Sequence, residues 1–125
     1  FTAEDLLEPP ILEELEEREF VINRSIEVFS SIKSDLHTRK AAFVNNYDKQ
    51  DNHCISYFHH YIRDNKYSMN VYVRSMDYDA NFIFDNQTFN LAYNIIYEKI
   101  KYIYPLVNSG YIRVFVFSLH KYIQK

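Results

Sequence analysis

Apolar positions recur along this chain with two different periods, and the alternation between them predicts the elements. From Val21 to about Leu36 the residues Val21, Ile22, Ile26, Val28, Phe29 and Ile32 fall at helical spacing. Thr38 to Val44 reads as a strand, and Cys54 to Ile62 is aromatic and extended in character. Asp64-Asn65 is a turn signal before a further strand from Tyr67 to Met76, so these two runs predict an antiparallel hairpin. Tyr78 to Thr88 reads as a polar and aromatic loop. Phe89 to Tyr104 is the clearest helix, with Ala92, Ile96, Ile100 and Ile103 as its buried stripe and Pro105 as its stop. A last strand, Tyr111 to Phe117, is entered from Asn108-Ser109-Gly110. Helices, three strands, a long helix and a strand in that order predict an α+β domain over residues 21–125.

Ahead of it, residues 1–20 form an acidic segment. Eight carboxylates stand there against Arg18 alone, a net charge of -7 over residues 1–19, while the whole chain carries -3. Pro9 and Pro10 interrupt it and Ile11, Leu12 and Leu15 give it a short apolar stripe. It reads as a solvated helix, a linker, or an arm that contacts a protein partner. The remainder is mildly basic, which is weak evidence for a polyanionic partner.

With 47% hydrophobic and 18% aromatic residues, the 125-residue chain can bury a core and is not a disordered polymer. No apolar run approaches the roughly 20 residues that cross a bilayer. The acidic N-terminus lacks the basic and apolar regions of a secretory leader. One cysteine makes no internal disulfide, and the expectation is a cytoplasmic or other reducing setting. The single glycine, Gly110, excludes glycine-rich phosphate loops, so a bound phosphate would need arginine and hydroxyl side chains.

Several groups could carry chemistry. Cys54 follows His53, with His59 and His60 further along; zinc would need a second pair, and only His37 and His120 remain, so no metal is expected. A lone cysteine in a strand is either core filler or a nucleophile. Arg74-Ser75 at a strand end offers an anion clamp, to which Arg39-Lys40 could add charge. Asn90 would sit in the first turn of the long helix, and His120 and Tyr122 would share one strand face.

Taken in order, these groups resemble the central part of thymidylate synthase and the related pyrimidine deoxynucleotide hydroxymethylases. That family carries Ser-Arg-Arg, a nucleophilic Cys in Pro-Cys-His, Arg-Ser-x-Asp, Phe-Asn-x-Ala and His-x-Tyr. The counterparts here read Thr38-Arg39-Lys40, His53-Cys54-Ile55, Arg74-Ser75-Met76-Asp77, Phe89-Asn90-Leu91-Ala92 and His120-Lys121-Tyr122. The intervals of 20 residues from Cys54 to Arg74 and 30 from Asn90 to His120 also match. Gly110 falls where the family opens the strand to His-x-Tyr.

The resemblance implies a mixed sheet with a long helix on one face and a homodimer through the other. It implies that the Cys54 thiolate adds to C6 of a deoxyuridylate-type substrate, making C5 nucleophilic toward a one-carbon unit from methylenetetrahydrofolate. Arg74 and Ser75 would hold the 5′-phosphate, with Arg39 and Lys40 reaching it from the other subunit. Asn90 would read the pyrimidine edge, His120 and Tyr122 the sugar hydroxyl, and Asp77 would lie near the ring and folate. An arginine cluster beside a thiol lowers its pKa, as nucleophilic addition requires.

The departures fall on the chemistry. His53 and Ile55 replace the family's residues around the cysteine, His59 stands in place of a Gln, and Val116-Phe117-Ser118 replaces Gly-Gly-Asp. Counterparts of the family's N-terminal Glu, Trp and Arg loop and of its folate-covering tail are not found in residues 1–25 or after Tyr122. The alternative is therefore a catalytically degenerate relative, a nucleotide-binding or scaffold subunit docked through its acidic segment.

Overall fold

The computed structural model describes residues 12–46, 56–73, 76–77, 82–116 and 119–120. Helix α1 (Leu12–Ser34) leads into strand β1 (Ala42–Asn45), followed by the hairpin β2 (Ser56–Arg63) and β3 (Lys66–Val73). The two-residue β4 (Met76–Asp77), helix α2 (Phe82–Ile103), β5 (Asn108–Val116) and the two-residue β6 (Leu119–His120) complete the order. The class is α+β: a four-stranded mixed sheet, ordered β1-β2-β3-β5, backed by two helices.

The hairpin forms where the sequence asks for it. Arg63 and Lys66 are its closing pair, and the two residues between them, Asp64 and Asn65, have φ of 53° and 60°. A two-residue loop matched to strand twist needs positive φ at both central positions, and Asp and Asn tolerate that region best after glycine. Asn65 is further tied down by its Nδ2, which donates to the Leu106 carbonyl at 2.7 Å.

Strict alternation in β2 then sorts the side chains. Phe58, His60 and Ile62 face the helices and are buried, while Tyr57, His59, Tyr61 and Arg63 face the opposite, open side. Phe58 stacks on Phe43 at 5.0 Å and meets Phe89 of α2 edge-on at 5.6 Å. Val21, Phe29 and Ile32 of α1 and Ala92, Ile96 and Ile100 of α2 fill the rest of this single core.

The last long strand pairs parallel with β3, joined to it by the crossover through α2. The ladder shifts between Tyr67 and Met69, where Gly110 and Tyr111 oppose Ser68 alone. Side chains satisfy the displaced backbone: Gly110 N–H donates to Tyr93 Oη at 3.1 Å, and Tyr111 N–H donates to Ser68 Oγ at 3.0 Å. Tyr93 Oη donates in turn to the Tyr67 carbonyl at 3.0 Å.

Three expectations change. The long helix begins at Phe82 rather than Phe89, so residues 82–88 of the expected loop are helical. Its early turns are anchored from a distance: Arg18 Nε donates to Thr88 Oγ1 at 3.0 Å, across 70 residues of sequence, and local propensity cannot report that. Helix α1 is continuous from Leu12 through residues 20 and 21 to Ser34. Finally, Ile103 is not part of the buried stripe; Phe89 and Tyr93 join Ala92, Ile96 and Ile100 there instead. No helix among the described residues is long and apolar enough to cross a membrane.

Candidate functional site

The expected site residues separate into those the structure describes and those it does not. Cys54, Arg74, Ser75 and Tyr122 lie outside the described residues. Asp77 and His120 are described as strand positions: β4 and β6 run parallel, with Met76 opposite Leu119 and Asp77 opposite His120. The segments that follow β3 and β5 thus stay side by side beyond the main sheet. In parallel sheets the carboxyl ends of adjacent strands are where ligands collect, and two of the five motifs meet there.

Asn90 does not occupy the first turn of its helix. With α2 starting at Phe82, it lies in the third turn, exposed, and its Nδ2 donates to the Asn86 carbonyl at 2.8 Å. Its backbone N–H is therefore spoken for by the helix, and its amide is engaged locally.

Arg39 and Lys40 are exposed on the approach to β1. This approach is shaped by Thr38, whose Oγ1 accepts from Lys40 N–H at 3.1 Å, and by an Ala41 carbonyl that accepts from His60 N–H at 2.8 Å. Arg39 faces a concavity of about 490 Å³ on the open side of the sheet, where His37, His59, Asn70, Arg63 and Arg113 also converge.

Alternation separates the adjacent histidines. His60 is fully buried between Tyr67 and Ser25: its Nδ1 is hydrogen-bonded with Tyr67 Oη at 2.7 Å, and its Nε2 with Ser25 Oγ at 3.1 Å. Burial pushes its pKa down to about 3, with neighbouring His59 adding to the effect. The same burial, with Tyr93 contributing, raises the Tyr67 phenol well above its ordinary value. His60 is thus a neutral, hydrogen-bonded member of the core. His59, on the open face, has its pKa lowered by partial burial, opposed by a hydrogen bond to the Arg39 backbone. Its Nε2 is buried without a partner. Because consecutive strand residues face opposite ways, these two imidazoles cannot ligate one ion. Among the described residues no three His, Cys, Asp or Glu side chains converge as a metal site would require.

The open face itself has two halves. Toward the carboxyl ends of β3 and β5, register places Val44, Tyr57, Tyr72 and Phe115 in one row across all four strands. Tyr72 stacks on Phe115 at 4.9 Å, yet Tyr57 stays 41% and Phe115 43% exposed. The next row toward the hairpin turns polar, with His59, Asn70 and Arg113 in register.

Arg63 and Arg113 do not figure among the residues that motif spacing singles out. A signal for them was present: once Asp64-Asn65 fixes the hairpin, period two places His59, Tyr61 and Arg63 on one face. Set against models of known protein families and against curated proteins, the sequence matches none.

Proposed function

We propose that this chain is a thymidylate synthase-like protein that binds a pyrimidine deoxynucleotide and transfers a one-carbon unit to its C5. In this reading Cys54 adds to C6 of a deoxyuridylate-type ring, and Arg74 and Ser75 hold the 5′-phosphate with help from Arg39 and Lys40. His120 and Tyr122 take the sugar, Asp77 lies beside the ring, and methylenetetrahydrofolate supplies the carbon. The observation that carries the reading is the parallel pairing of Asp77 with His120. Motifs 43 residues apart in sequence come to one end of one pair of strands, as a shared ligand demands.

Tritium release from 5-labelled deoxyuridylate, with methylenetetrahydrofolate present, tests it. Release by the wild-type chain that falls by at least a hundredfold in Cys54→Ser is the expected result. A second reading, a nucleotide-binding relative without turnover, is favoured by Asn90, whose amide serves its own helix instead of a ligand. That reading expects no release, but calorimetric binding of deoxyuridylate that is lost in Arg74→Ala. Neither release nor binding overturns both.

A homodimer through the open sheet face belongs to the same proposal. The exposed row Val44, Tyr57, Tyr72 and Phe115 supports it, because a sheet face bearing large apolar side chains is stabilised by cover. Sedimentation at micromolar concentration should find a dimer, and Tyr57→Glu with Phe115→Glu should make it a monomer. A wild-type monomer across that range would remove this part.

A further inference from the structure

The hairpin half of the open face carries positive charge that the described residues leave uncompensated. Arg39 approaches it from the edge at β1, Arg63 from the end of β2, and Arg113 from the middle of β5; all three line the concavity of about 490 Å³. Asp64 is the one carboxylate among its lining residues, and none of the three arginines is ion-paired among the described residues. Arg113 rests instead on the Tyr111 ring, its guanidinium carbon 4.9 Å from the ring centre.

Two further features point to a ligand. The hairpin closes on Arg63 directly opposite Lys66, and Lys66 lines an adjoining hollow that shares Tyr61, Arg63, Asp64 and Arg113. Like charges directly opposite across a hairpin are destabilising, so this arrangement costs the free protein something that an anion would return. His59 also lines the concavity, and its Nε2 is buried with no hydrogen-bond partner among the described residues. A buried polar atom left unmade is a penalty that native structures rarely keep without use.

From these observations we propose that the concavity binds a polyphosphate-class anion, either pyrophosphate or the phosphate chain of a nucleotide. Guanidinium groups arriving from two strands and from the segment before β1 can each give paired N–H donors to phosphate oxygens. Asn70, which lines the concavity beside Arg113 in register, adds a polar side chain to it. The volume admits more than one phosphate group. The site stands apart from the deoxynucleotide site of the preceding section: it lies at the hairpin end of the strands, while Asp77 and His120 follow their opposite ends. It shares with that site only Arg39.

Calorimetry on the full chain at low salt, with sodium pyrophosphate as titrant, tests the proposal. One saturable site per chain is expected, weakened at least tenfold by Arg113→Gln or by Arg63→Gln and unchanged in Arg74→Ala. Both arginines are exposed, so the variants should keep the wild-type melting temperature to within a few degrees. A parallel titration with uridine diphosphate identifies the source. Tighter binding than pyrophosphate names a nucleotide, and binding of pyrophosphate alone names the free anion. Absence of saturable binding by both titrants overturns the proposal. So does binding that survives the Arg63→Gln/Arg113→Gln double variant, or that disappears in Arg74→Ala while the double variant retains it.

Discussion

Acidification from pH 7 to pH 4 is expected to remove about 3 kcal/mol of folding stability through His60 alone, rising to about 4 kcal/mol near pH 3. His60 is fully buried, its pKa held at about 3 first by desolvation and then by His59. In the unfolded chain the same imidazole takes a proton near pH 6.5. Between these values the unfolded state binds a proton that the folded state refuses, so stability is complete above pH 6.5 and declines as pH falls toward 3. The structural cause is specific. A protonated imidazole donates from both nitrogens, so the one that accepts in the neutral ring loses that bond, and the cation would sit in the core beside Phe43, whose ring centre is 6.4 Å away. Urea unfolding at pH 7, 6, 5 and 4 measures it. His60→Gln should start lower, because Tyr67 and Ser25 lose their partner, but should decline less steeply. Equal slopes in the two proteins would show that His60 does not govern the acid limb.

Gly110→Ala should destabilise the fold by about 2–4 kcal/mol, an overpacking cost joined by a disturbed hydrogen-bond set. The reason is space and not conformation, since this glycine has no positive φ. A Cβ here would overlap Ser68 Oγ and lie 2.7 Å from the Tyr67 carbonyl oxygen, which is backbone and cannot turn aside. Moving β5 outward to relieve the overlap would stretch the bonds from Gly110 to Tyr93 and from Tyr111 to Ser68. The midpoint of urea unfolding should fall by about 1–2 M for a chain of this size. A loss below about 0.5 kcal/mol would mean that the two strands separate more readily than their contacts imply.

How far the sequence discloses this architecture depends on whether the deciding forces are local. Asp64-Asn65 is a local signal: it asks for a two-residue turn, and the turn sets the register from Arg63–Lys66 to Ser56–Val73. The alternation of β2 is equally local, and it sorts Phe58 and Ile62 from Tyr57 and Tyr61 without reference to any other segment. The start of α2 is not local. Asp85 to Thr88 reads as polar loop until Arg18 of α1 is brought against it, and only then does helix hold. Asn90 follows the same rule, since moving the helix start by seven residues takes it from the first turn to the third.

The candidate site was legible as an ordered set of motifs. Of these, the pairing of Asp77 with His120 brings two together, while Cys54, Arg74, Ser75 and Tyr122 lie outside the described residues. The basic concavity was not legible in that way. Arg39, Arg63 and Arg113 occupy three separate segments, and only the pairing of β1 with β2 and the register of β2, β3 and β5 unite them. Spacing along a chain identifies residues one strand brings together; it is silent on residues that meet across strands.

The kink at Gly110 has a consequence for how this molecule tolerates crowding. Among the described residues the sheet ends on β1 at one side, four residues long, and on β5 at the other, nine residues long and rich in rings and β-branched side chains. A straight rim of that composition would template the addition of foreign strands. The irregularity near its start and the guanidinium of Arg113 midway along it deny such a visitor a flat, uncharged stretch, so the feature that admits one glycine also guards against fibril-like growth.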